Sequence, residues 1–233
     1  GPRAQRLVGA AGSPGRFQFR EALHQPGTQQ LLGRAYAQDG LAQGEAALAD
    51  LAQRPATARH LATKLVRHFI ADDPPAAAVD RVAKVYLQTG GDLPSVYRAL
   101  IESPEAWSAQ FTKFRVPSDY LFAAWRALDL PVGEGRAAIA PFELLGQRSF
   151  QPGSPAGWPD RSADWDASAA LLKRLEWAQQ LGQRLGGQRN ASELAVSSWG
   201  AEPGSTSLRS ISRAQDSVQG LVLWLGAPEF MRR

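Results

Sequence analysis

Apolar residues recur at helical spacing over most of the chain from about residue 44 onward. In the segment 55–71, steps of three and four residues place the apolar side chains on one side of a helix, and 72–75 (Asp-Asp-Pro-Pro) end it. The same pattern predicts further helices at 77–88, after a cap at Asp92, from Pro117, at about 138–145, from a cap at Asp166 to about Leu185, and at about 207–225. The sequence therefore predicts a mainly α fold, an irregular domain of about seven or eight helices.

Residues 17–36 contain the one convincing β pattern. Phe17 and Phe19 alternate with polar residues, Pro26-Gly27 favours a turn, and a second short apolar stretch follows. This pattern predicts a small N-terminal β-hairpin that needs helices to pack against, because an isolated two-stranded ribbon is only marginally stable.

Composition shifts along the chain predict its domain organisation. Gly1-Pro2 resembles the remnant of a removed tag, and residues 3–43 form an N-terminal extension that contains the hairpin. Residues 44–233 are expected to form one compact helical domain. Within it the Gly/Ser-rich segment at about 186–206 is expected to be mobile.

The overall composition excludes several classes of protein. Hydrophobic residues make up 44% of the 233 residues and charged residues 21%, which is typical of a globular domain. The chain has no cysteine, so it has neither disulfide bonds nor a thiol nucleophile. No apolar run approaches the roughly 18 residues of a membrane span, so we expect no membrane-spanning helix.

The charge gives little support to a nucleic-acid partner. The formal net charge is +4, from 26 Lys and Arg against 22 Asp and Glu. The basic residues are scattered, and no block of five or six occurs. We therefore expect no nucleic-acid binding.

Three polar residues on the predicted helix 55–71 are candidate catalytic residues. His60, Lys64 and His68 are spaced by four and so lie on one side of the helix, with Asp73 or Asp72 as an orienting carboxylate. The two histidines are roughly 12 Å apart along the axis, too far to share one metal ion, and we expect neither a metal nor a cofactor. The same residues also suit a solvated helix surface and a helix-ending turn, and no complete catalytic motif accompanies them.

The Pro/Gly-rich loop 146–165 contains the candidate ligand-binding residues Gln147, Trp158 and Trp165. Large amphipathic rings beside prolines and glycines can build a rigid platform for sugars, peptides or another domain. They can equally attach a long loop to the core. The sequence leaves both interpretations open.

A series of motifs resembles a known family. In chain order they are "HQPGTQQLLG", "PATARHLATKLVRHFIADDPP", "GGDLPSVYRALIESPEAW", "KFRVPSDYLFAAWRAL", "LLGQRSFQPGSPAGWPD", "RLEWAQ" and "APEFMRR". Together they resemble the C-terminal half of the bacterial family called domain of unknown function 1800, from about residue 16 to the end.

The resemblance implies an exported protein but no agreed activity. Family members are about twice this length, with an N-terminal helical half, and many are exported proteins of Gram-negative bacteria encoded beside an exported sulfatase-like family. It therefore implies a periplasmic or secreted location, with the missing N-terminal half or a neighbouring exported protein as partner. His24-Gln25 stands where members commonly have His-Asp, which weakens the case for His24 as a catalytic residue.

Two functional hypotheses follow. The first is a non-enzymatic binding or scaffolding module of the cell envelope that uses the Trp158 loop. The alternative is a hydrolase of cell-envelope or polysaccharide material that uses the His60, Lys64 and His68 side of the helix. The sequence does not decide whether the protein is an enzyme.

Overall fold

A computed structural model describes residues 17–107 and 111–233, and in these residues it contains eleven α-helices and one two-stranded antiparallel sheet. The predicted mainly α fold with an N-terminal hairpin is confirmed. The strands are β1 (Gln29–Leu31) and β2 (Arg34–Tyr36). The helices are α1 (Leu41–Ala52), α2 (Pro55–Phe69), α3 (Ala76–Gln88), α4 (Leu93–Ile101), α5 (Pro117–Ala127), α6 (Arg136–Leu144), α7 (Ser168–Leu185), α8 (Ala191–Trp199), α9 (Thr206–Ser212), α10 (Ser217–Gly226) and α11 (Pro228–Met231).

Local capping chemistry explains where several helices begin. Asp92 accepts a hydrogen bond from the Ser95 backbone N–H at 2.9 Å, as predicted for the start of α4. Pro117 is the first residue of α5, where its missing N–H costs nothing and its fixed φ suits the first turn.

The hairpin turn differs from the predicted one. The two strands are joined at Leu32-Gly33, where both residues have positive φ (50° and 79°), and not at Pro26-Gly27. A two-residue turn with positive φ at both positions matches the right-handed twist of the strands, and Gly33 adopts it without strain. Phe17 and Phe19 lie outside the strands.

The C-terminal third has more helices than the hydrophobic pattern predicts. The Gly/Ser-rich segment contains α8, where the Asn190 side chain accepts from the backbone N–H groups of Ser192 and Glu193. The predicted helix 207–225 is two helices, because Asp216 caps a new start by accepting from Gln219 N–H at 2.7 Å. Side-chain caps of this kind restart a helix without changing the apolar spacing. The mobility of 186–206 stays a prediction.

The chain divides into two compact units. The first comprises residues up to Ala62 together with Val79–Ala99, and the second comprises Thr63–Ala78 and Leu100–Arg233. The predicted boundary at residue 43 stays a prediction, and the Gly1-Pro2 remnant lies outside the described residues.

The first unit is tied together by a buried glutamine and a tyrosine. The Gln43 side-chain N–H donates to the backbone oxygens of Gly27 and Tyr36, both at 2.9 Å, and its oxygen lies 3.1 Å from His24 Nε2. The Tyr36 hydroxyl donates to Asp50 at 2.7 Å, which joins β2 to α1. Polar contacts of this kind supplement a small apolar core.

The core of the second unit is built around α7 and α10, which pack against each other. Gly182 of α7 permits close approach, because a Cβ there would lie 3.1 Å from a methyl carbon of Val218. The large aromatic side chains at its centre include Trp177 of α7, Trp224 of α10 and Tyr120 of α5, each no more than 2% exposed. Burial of such rings removes a large apolar area from water.

Candidate functional site

The candidate catalytic residues lie on α2 or shortly after it, and the division between the two units falls among them. His60 is exposed and belongs to the first unit, whereas Lys64, His68 and Asp73 belong to the second. Asp73 is exposed and makes none of the ion pairs or hydrogen bonds found among the described residues. Lys64 instead pairs with a carboxylate 96 residues away, Asp160, at 2.6 Å. The catalytic role of these four residues stays a prediction.

Asp72, the neighbour of Asp73, is the carboxylate that the fold engages. It forms an ion pair with Lys113, and its second oxygen accepts a hydrogen bond from the Ser162 backbone N–H at 2.7 Å. Lys113 is only 3% exposed, and its ammonium also donates to the Asp160 backbone oxygen at 2.7 Å. A buried ammonium needs such partners, because an unpaired charge away from water is costly.

Arg67 completes the contacts around Asp72 and Asp160. Its Nε donates to the Asp72 backbone oxygen at 3.2 Å, and its Nη1 lies 3.5 Å from Asp160 Oδ2. We call Lys64, Arg67, Asp72, Lys113 and Asp160 the loop-anchoring cluster. The cluster fastens the end of the Pro/Gly-rich loop to the C-terminal end of α2.

The electrostatics of this cluster favour ionised carboxylates. Partial burial acts to raise the pKa of Asp72, but its bonds with Lys113 and Ser162 outweigh burial and lower it below its ordinary value. Partial burial acts in the same way on Asp160, and Lys64 and Arg67 lower its pKa overall. Carboxylates with lowered pKa are poor proton donors near neutral pH, so this arrangement suits ion pairing better than general acid catalysis.

Replacing Asp160 by asparagine is expected to lower the free energy of unfolding at pH 7 by about 0.5–1 kcal/mol, since both ion pairs are partly solvent-exposed. Because the folded-state pKa of Asp160 is lowered, its contribution is present above the ordinary carboxyl value of 3.8 and is lost as the pH falls through the folded-state value. Urea unfolding at pH 7, 5 and 3 should therefore show the difference between wild type and variant shrinking toward pH 3. An equal difference at all three pH values would contradict the prediction.

His68 lies beside the C-terminus of the described chain. Its backbone oxygen accepts from Arg233 Nη2 at 2.9 Å, and its ring packs edge-on against Phe69 with centroids 4.5 Å apart. Burial by neighbouring atoms, followed by the positive charge of Arg233, lowers the pKa of His68 below its ordinary value. The ring is therefore neutral near pH 7 and suits accepting a proton more than donating one.

Each of the three candidate ligand-binding residues contacts other residues of the chain. Gln147 accepts a hydrogen bond from the Ser118 backbone N–H at 2.7 Å, which satisfies a free donor at the start of α5. Trp165 is 6% exposed and its indole N–H donates to the Pro159 oxygen at 3.1 Å. Trp158 is half-buried, packs on the core, and its ring lies 6.1 Å from that of Trp165. Their role in ligand binding stays a prediction.

The most exposed aromatic residue of the loop is one that the sequence analysis did not select. Phe150 is fully exposed and has a φ of 58°, in the left-handed region that a bulky residue rarely adopts. The loop that presents it is held three residues earlier by the hydrogen bond between Gln147 and Ser118. An exposed ring on a strained backbone is a feature that folding alone does not favour.

Exposed apolar residues on α5 and α6 lie close to the start of this loop. The rings of Phe122 and Phe142 are 5.9 Å apart, and Ile139 lies three residues before Phe142 on the same side of α6. Phe122 and Ile139 are both more than 40% exposed. We group these three residues with Phe150 of the loop that follows α6, and we call the four residues the aromatic surface.

A separate apolar groove of about 590 Å³ runs along α8 and α9. Its lining includes Val196, Pro203 and Leu208, with Glu193 and Arg209 also present. None of the sequence-predicted site residues lines this groove.

Two features are absent from the described part of the chain. Residues 17–107 and 111–233 contain no group of three or more His, Cys, Asp or Glu side chains placed to share a metal ion. Within the same residues, no helix combines the length and apolar character needed to cross a bilayer.

Comparison with known proteins identifies the family. A search of curated proteins and a search of solved structures each returned no match. The model of the family described as "Protein of unknown function (DUF1800)" matches residues 4–232, essentially the whole chain. This coverage agrees with the ordered motifs found in the sequence, and the chain belongs to the DUF1800 family.

Proposed function

We propose that the chain is a non-enzymatic binding module of an exported cell-envelope protein, and that its aromatic surface contacts a partner polypeptide. The observation that supports this proposal is Phe150, a fully exposed ring on left-handed backbone at the start of the Pro/Gly-rich loop. Placing a non-glycine residue in this conformation costs roughly 1–2 kcal/mol, and the exposed ring recovers none of it within the chain.

Apolar residues on α5 and α6 also favour a protein partner. Phe122 and Ile139 add exposed apolar area beside the half-buried ring of Phe142, and interfaces are enriched in such aromatic anchors. Trp125 is 8% exposed and packs its ring against both phenylalanines, at 5.5 Å from Phe122 and 5.9 Å from Phe142, so rigid side chains support the surface. A preorganised apolar surface loses little entropy when a partner binds.

The polar residues support binding over hydrolysis. The hydrolase alternative would use Lys64 and Asp72 together with His68. Both Lys64 and Asp72 form ion pairs within the loop-anchoring cluster. The cluster holds the C-terminal end of the loop that presents Phe150, so its ion pairs help to fix the position of that loop. The proposed partner is the helical half that longer family members carry, or a neighbouring exported protein.

The test replaces Phe150 by the photo-crosslinking residue p-benzoylphenylalanine in the full-length protein, produced in its own bacterial host. Illumination is expected to give a discrete adduct whose crosslinked peptide maps to one partner surface. The matched control places the same residue at Leu172, another exposed apolar position, which lies on α7 and is 60% exposed. The adduct at position 150 should be several times more abundant than at 172, and Phe122→Ser should reduce it. Equal adducts at both positions, or none at 150, would overturn the proposal.

A second variant separates binding from folding. Phe150→Gly removes the ring, and glycine adopts a φ of 58° without strain, so the melting temperature is expected to stay the same or rise. With the crosslinking residue placed at Ile139 instead, the same variant is expected to give less crosslinked product. A variant that lost stability and kept the interaction would show that Phe150 serves the fold.

A further inference from the structure

A buried cation in the second unit has no carboxylate partner within the described parts of the chain. Arg174 of α7 is 1% exposed, and one of its nitrogens, Nη2, donates to the Arg115 backbone oxygen at 2.7 Å. Among the described residues no carboxylate lies within ion-pair distance of its guanidinium. A buried guanidinium remains charged because it cannot lose its proton at ordinary pH. Something must therefore offset its positive charge.

Aromatic rings offset part of that charge. The guanidinium carbon of Arg174 lies 4.4 Å from the ring centroid of Phe114 and 4.8 Å from that of Tyr120. Cation–π contacts of this kind stabilise a desolvated guanidinium, but by less than the cost of burying an unpaired charge.

Three polar atoms on Arg174 and its aromatic neighbours have no hydrogen-bond partner among the residues that the structure describes. They are Arg174 Nη1, the Tyr120 hydroxyl and Trp177 Nε1, and all three are buried. Arg174 and Trp177 are three residues apart on the same side of α7, and the rings of Tyr120 and Trp177 lie 5.6 Å apart. Each of the three groups can donate a hydrogen, and two of them can only donate.

The protonation states keep the cluster a set of donors. Burial lowers the pKa of Arg174 to about 10, so the guanidinium is still charged at pH 7. Burial raises the pKa of Tyr120 well above its ordinary value, so the phenol keeps its proton and cannot act as the counter-ion. The missing component is a negatively charged acceptor.

We propose that Tyr120, Arg174 and Trp177 bind one chloride-sized anion in the core of the second unit. A monatomic halide suits this site because it accepts hydrogen bonds from several directions. An oxyanion such as sulfate would need more donors to replace its hydration shell. The anion would satisfy three buried donors, whose separation from any hydrogen-bond acceptor is otherwise destabilising.

The first test uses chloride itself on the wild-type chain. The melting temperature is measured in sodium gluconate and with chloride replacing gluconate from 5 to 200 mM at constant ionic strength. For a dissociation constant on the order of 10 mM, the melting temperature should rise by about 3–6 °C. Equal melting temperatures in chloride and gluconate would overturn the proposal and leave a buried water as the acceptor.

Isosteric variants locate the site. Tyr120→Phe and Trp177→Phe each remove one donor and keep an aromatic ring, and each is expected to reduce the chloride-dependent shift at least twofold. The matched control is Trp224→Phe, because Trp224 is equally buried but its indole N–H already donates to Ser198 Oγ at 3.2 Å. It should lose stability and keep the full shift. A shift unchanged in both Tyr120→Phe and Trp177→Phe would place chloride elsewhere and reject this site.

Discussion

Replacing Trp224 by alanine is expected to lower the free energy of unfolding by about 4 kcal/mol. The side chain is fully buried in the core of the second unit, with its ring 4.6 Å from that of Phe230 and stacked at 6.3 Å on that of Trp199. Truncation removes a large apolar surface and leaves a cavity that these two neighbouring rings cannot fill without moving. Urea unfolding at pH 7, followed by circular dichroism, measures the loss.

An exposed tryptophan provides the control. Trp107 is 73% exposed, so Trp107→Ala should cost less than about 1 kcal/mol. Trp224→Phe should fall between the two, because it keeps a ring but loses the hydrogen bond to Ser198. A loss for Trp224→Ala no larger than that for Trp107→Ala would contradict the described core.

Asp72→Asn is expected to lower the free energy of unfolding by about 2–3 kcal/mol. The amide keeps the shape of the side chain but removes the negative charge opposite Lys113, whose ammonium is almost fully buried. An unpaired buried charge is far more costly than the loss of a surface ion pair. The same urea experiment measures the loss, and the effect should shrink in acid because the wild-type carboxylate is then also protonated.

The adjacent residue is a matched control for Asp72. Asp73 carries the same side chain one position later but is exposed, so Asp73→Asn should change stability by less than about 0.5 kcal/mol. Combining Asp72→Asn with Lys113→Met should cost less than the sum of the single changes, because the double variant leaves no unpaired charge. Similar losses for Asp72→Asn and Asp73→Asn would show that the ion pair with Lys113 is not formed.

Much of the helical architecture was predictable from local signals. The spacing of apolar residues located α2, α3 and α7, and the cap at Asp92 and the proline at position 117 located two helix starts. The turn of the hairpin was misplaced because Pro-Gly is a strong general turn signal. Leu-Gly, however, forms the two-residue turn that suits twisted strands.

The candidate site was predicted less well. Lys64 was selected for its place on a polar helix side, and the fold does engage it, but with Asp160 across 96 residues. Lys113 and Asp160 were not selected because neither belongs to a helical or strand pattern in the sequence. Lys113 is a lone lysine between helices, and Asp160 follows a proline in a loop. Phe150 was not selected because its exposure and its positive φ are properties of the folded backbone.

Sequence alone determined the fold class, the family and most of the helices, because helix spacing, caps and ordered motifs act over a few residues. Only the tertiary structure decided which charges meet and which rings stay exposed. Lys113 pairs with Asp72, which is 41 residues away in the sequence. Arg174 pairs with no carboxylate among the described residues, although the chain has 22 Asp and Glu. Ion pairing and burial depend on how distant segments pack, and the local spacing of residues along a chain contains no record of that packing.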